Sequence, residues 1–100
     1  MDYTNELLTK IIQVGTLGYP LSKIINVLDI EDETAFKKDF YNKKHIVYKN
    51  YNKGLDKADL VIDSKLFDMA KNGDLKALEK YQFRKNRYQD QFDGEADNRK

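Results

Sequence analysis

The chain has no cysteine, a single proline and no long apolar run. Without cysteine there is no disulfide and no thiolate zinc site. No apolar stretch approaches the ~20 residues that a membrane-crossing helix needs. A glycine-rich loop with the spacing of a phosphate cradle is also missing, which removes the ATPase class. The net charge is only +1, so any contact with nucleic acid has to come from a local patch. No signal sequence is recognisable, and with the missing cysteine this gives the expectation of a cytoplasmic protein.

What is there is charge and spaced hydrophobicity. Of the 100 residues, 40% are hydrophobic and 35% charged, and the mean hydropathy is −0.81. A chain of this size makes one thin-cored domain, burying roughly 60–70% of its surface, and self-association is a natural way to cover the rest. The charge is uneven. Between residues 37 and 53 lie Lys37, Lys38, Lys43, Lys44, Lys49 and Lys53, with Asp39 as the only acid. An acidic knot, Asp29, Glu31, Asp32 and Glu33, precedes it. A second basic stretch, Lys80, Arg84, Lys85 and Arg87, is followed by an acidic run from Asp90 to Asp97.

The apolar spacing predicts an all-α fold. Leu7, Leu8, Ile11, Ile12 and Val14 recur at helical intervals behind Thr4, a good N-cap, and Gly15 and Gly18 mark that helix's end. Pro20 suits a helix start, where its missing N–H costs nothing, and Ile24, Ile25, Val27 and Leu28 follow. After a turn at Asp29-Ile30-Glu31, Asp32 or Glu31 can cap a third helix that buries Ala35, Phe36 and Phe40 and ends near Tyr41-Asn42. From His45 one helical pattern runs to Asn72-Gly73-Asp74, which supplies a C-cap and a fresh N-cap in succession. So short a connection forces two antiparallel helices. Gly54 inside the long helix invites either a kink or the close approach of another helix, and close packing is favoured. The expected division is a head over 1–44, a helical hairpin over 45–92, and a polar, disordered tail over 93–100.

The span Gly18–Phe36 reads as a helix-turn-helix, with inward positions at Ile24, Leu28, Ile30 and Ala35. The first helix braces the second so that the second's outer face can enter a major groove. That face would present Thr34, Lys37, Lys38 and Tyr41 to double-stranded DNA, with Lys43 and Lys44 reaching phosphates. The pattern departs from common practice at Ile25, where a small residue is usual, and at Asp29, where glycine is usual. The acids Glu31, Asp32 and Glu33 open the recognition helix and argue against base reading. The stripe Tyr51, Leu55, Ile62, Leu66, Met69, Leu78 and Tyr81 is the expected interface between copies.

From Gly18 to about Arg87 the chain resembles the small terminase subunits of tailed phages. The head carries part of the likeness. Tyr51 with Gly54 three residues on, and the later corner Ala70, Gly73, Asp74 and Ala77, carry the rest. The resemblance implies a DNA-packaging protein in the cytoplasm of a bacterial host, assembled as a ring. It would recognise viral DNA and present it to the large terminase subunit. The alternatives are a small phage or mobile-element transcriptional regulator using the same head, and a structural assembly protein that does not bind DNA.

Catalytic and metal chemistry are not expected, and neither is a cofactor. His45 has no evident partner for acid–base or metal work and reads as solvated or phosphate-facing. Asp56, Asp59 and Asp63 lie near one helix face among lysines and read as a salt-bridged surface. Tyr48, Tyr51, Tyr81 and Tyr88 could stack on bases, but packing within the hairpin or between subunits is preferred.

Overall fold

The computed structural model describes residues 1–98, which form five helices and, among those residues, no strand: α1 (Asn5–Thr16), α2 (Leu21–Val27), α3 (Glu33–Phe40), α4 (Ile46–Lys71) and α5 (Leu75–Asn98). The all-α expectation holds. No described helix is long and apolar enough to cross a membrane. The chain divides into two compact units, Met1–Asp59 and Leu60–Lys100. The head therefore extends past residue 44, because Val47, Asn50 and Gly54 of α4 are buried within it. At the other end α5 runs on to Asn98, so residues 93–98 are helical where a disordered tail was expected. Arg99 and Lys100 lie outside the described residues.

Caps set most of the boundaries in the first unit. The Thr4 hydroxyl accepts from the Leu7 N–H at 3.1 Å and opens α1. α1 closes when Gly18 turns to φ +68, which lets Gly18 N–H reach Gly15 C=O and Tyr19 N–H reach Val14 C=O at 3.0 and 3.1 Å. α2 ends the same way with Asp29 in the glycine position, at φ 54, and Ile30 N–H on Ile25 C=O at 3.0 Å. Asp is one of the few side chains that tolerates this left-handed conformation, which is why the turn forms without glycine. Asp32 then caps α3 by accepting from Ala35 N–H at 3.1 Å.

The core of this unit is Ile11, Val14, Ile24, Ile25, Ile30, Phe36 and Val47, ringed by half-buried Leu7, Leu8, Leu28, Phe40 and Tyr51 among others. Phe36 is fully buried and contributes about 2–3 kcal/mol of transfer free energy. α1 and α4 meet backbone to backbone. A Cβ on Gly54 would lie 2.6 Å from Thr16 N and collide with the Ile12 carbonyl. One on Gly15 would lie 3.0 Å from the Tyr51 carbonyl carbon. The two glycines thus permit the crossing. Gly54 is a close-packing residue, as favoured, whereas Gly15, expected as a helix end, sits inside α1 for the same reason.

The second unit is a helical hairpin. Gly73, at φ +101, ends α4 with Gly73 N–H on Ala70 C=O and Asp74 N–H on Met69 C=O. Asp74 opens α5 by accepting from Ala77 N–H at 3.0 Å. Phe67 and Tyr81 pack with ring centroids 5.5 Å apart, and Arg84 bonds to Asp63 across the pair. Ala77 is the only buried hydrophobic residue described from Leu60 on.

Candidate nucleic-acid interface

Thr34, Lys37, Lys38 and Tyr41 are spaced three, four and seven apart, which puts them on one face of α3. All four are exposed, Tyr41 to 69%. Lys43 and Lys44 follow in the turn after α3, and Lys49 and Lys53 stand one turn apart near the start of α4, all exposed. An open groove of about 540 Å³ separates this face from α2, with Ser22, Asn26, Lys37 and Tyr41 among its walls. Glu33 lines the same groove, one turn before Lys37, and is the acid that opposes phosphate there.

Glu31 is also exposed, whereas the three aspartates of the region have structural roles. Asp32 is the α3 cap and Asp29 forms the left-handed turn. Asp39 is turned inward. Its Oδ2 accepts from the Tyr3 hydroxyl at 2.7 Å and stands 3.7 Å from His45 Nε2. The six lysines between residues 37 and 53 therefore face solvent while the one acid among them does not. Burial first, then the hydrogen bond to Asp39 and the charge behind it, push the Tyr3 hydroxyl well above the usual tyrosine range.

His45 is neither solvated nor aimed at phosphate. It is half-buried, and its Nδ1 accepts from Val47 N–H at 3.1 Å, so it acts as the N-cap of α4. The tautomer that leaves Nδ1 free to accept carries its proton on Nε2, facing Asp39. Tyr3 packs edge-on against the imidazole, with centroids 5.3 Å apart. This cap was invisible in sequence because histidine is not a usual capping residue.

The expected interface stripe divides. Tyr51 leaves it altogether. The Tyr51 hydroxyl donates to Tyr19 C=O at 2.8 Å, its ring packs on Phe40 at 5.0 Å, and burial raises its pKa. It serves the head's interior, and Leu55 is half-buried in the same unit. In the hairpin Leu66 and Tyr81 are half-buried, while Ile62, Met69 and Leu78 remain 45%, 39% and 37% exposed. Residues outside the expected stripe, Leu60, Val61, Leu75, Phe83 and Phe92, are more exposed still.

Comparison with protein-family models, curated proteins and solved structures gives no match. The functional reading therefore rests on the surfaces just described and on the sequence pattern.

Proposed function

We propose that this chain is a DNA-binding, self-assembling adaptor of the small-terminase type. It binds viral DNA in the cytoplasm of a bacterial host and presents it to a large terminase subunit, and it is not itself an enzyme. The observation that carries DNA binding is the inward turn of Asp39, the one acid between residues 37 and 53, which leaves Lys37, Lys38, Lys43, Lys44, Lys49 and Lys53 as an exposed surface in which basic residues predominate. Such a surface binds the phosphate backbone by releasing counterions, with an affinity that falls steeply with salt. Glu33 beside Lys37 favours backbone contact over reading of base edges. The open apolar hairpin supports self-assembly, since the described residues from Leu60 on bury one hydrophobic side chain and leave the others for a partner to cover.

The test is duplex DNA binding as a function of salt. Lys37→Glu, Lys38→Glu and Lys43→Glu together should abolish binding at low salt, and their single Ala versions should each lower the log–log salt slope by roughly 1. A wild-type protein with no salt-dependent affinity would hand the case to a structural assembly role. Light scattering separates the remaining readings, because a dimer points to a transcriptional regulator and a larger closed assembly to a packaging adaptor.

A further inference from the structure

The hairpin carries a groove of about 630 Å³, with Ile62 and Leu66 of α4 on one side and Phe83 of α5 on the other. Its rim is basic. Lys80, Arg84 and Arg87 line it against a single acid, Glu79. Arg84 is engaged by Asp63, but Lys80 and Arg87 hold no salt bridge among the described residues. The end of α5 has the opposite character. From Tyr88 to Glu95 there is no basic residue, and Glu95 and Asp93 stand about 60° and 100° round the helix from Phe92, which is 60% exposed, while Asp90 lies on the far side.

We propose that the Tyr88–Glu95 end of α5 docks into the Ile62/Leu66/Phe83 groove of a second copy, with Phe92 entering the groove and its flanking acids meeting Lys80 and Arg87. The inference rests on the self-assembly reading above and names the surfaces that carry it. The two surfaces match in both polarity and charge, and complementary charge suppresses wrong registers as well as favouring the right one. Docking within one chain is ruled out by α5 itself. The helix is continuous from Leu75 to Asn98, so Phe92 stands about 13 Å further along the axis than Phe83 and on the opposite side of the helix. Because donor and acceptor surfaces differ, the contact is heterologous and passes from copy to copy, closing a ring or extending a filament.

Two full-length variants test this by light scattering and sedimentation at micromolar concentration, with circular dichroism to verify helix content. One reverses the helix end (Asp93→Lys, Glu95→Lys) and the other reverses the groove rim (Lys80→Glu, Arg87→Glu). Each alone should associate at least tenfold more weakly than wild type. Mixed one to one they should assemble again, because each variant's end now fits the other's groove. If wild type assembles and the variants do so equally well, or if mixing restores nothing, this docking is wrong while self-assembly stands. If wild type is a monomer at every concentration, the reading beneath it fails as well.

Discussion

Tyr3, Asp39 and His45 show how much a few side chains at the start of the chain accomplish. Tyr3 donates to Asp39, Asp39 faces His45, and His45 caps α4. The raised Tyr3 pKa makes this arrangement sensitive to alkali. A tyrosine whose folded pKa lies above its unfolded value near 10 contributes stability that is complete below about pH 10 and is lost as pH climbs toward the folded value. Wild-type stability should therefore decline above about pH 10. Tyr3→Phe should cost about 1 kcal/mol at neutral pH through the lost hydrogen bond. It should also flatten the alkaline decline to the share due to Tyr51. Urea titrations at pH 7, 9 and 11 read both effects, and an equal decline in the two proteins would contradict the assignment.

At the scale of elements, the crossing of α1 and α4 is the feature least tolerant of change. In an open helix Gly→Ala gains up to about 1 kcal/mol. Gly54→Ala should instead lose about 1–3 kcal/mol, because the added methyl meets main-chain atoms of α1 that have no rotamer through which to yield. Gly94→Ala in α5, with nothing within 4 Å, is the control and should be neutral or stabilising. Opposite shifts in the denaturation midpoint would verify the contrast. The capping signals were legible in sequence: Thr4, Asp32, and the Gly73-Asp74 corner act as their residue types dictate. The solvent-facing row on α3 was legible too, since periodicity fixes which residues share a face. Periodicity does not say what a face meets. Tyr51 falls on the α4 stripe, but α1 and α3 cover it first, so it serves the head and not a neighbouring copy. Gly15 misled for a related reason: a glycine that ends a helix and one that admits another backbone look alike until the second helix is placed.

At the scale of the whole molecule, stability is unevenly distributed. The seven-residue buried cluster belongs entirely to the first unit, whereas from Leu60 on the described hydrophobic side chains are exposed or half-exposed apart from Ala77. A protein whose second half gains its burial from other copies is stabilised by mass action. The midpoint of thermal unfolding should therefore rise with protein concentration, most visibly in the helical signal. A midpoint that stays constant over a hundredfold range would show that no association stabilises the fold.

The inward carboxylate of Asp39 has a consequence that reaches beyond its own contacts. Tethering the amino end and removing the local counter-charge from the lysine surface are one and the same act. A change at residue 3 would take away one of the two groups that hold this carboxylate and leave His45 to keep it turned from the lysines. The charge balance over α3 thus draws on a side chain that stands ahead of α1.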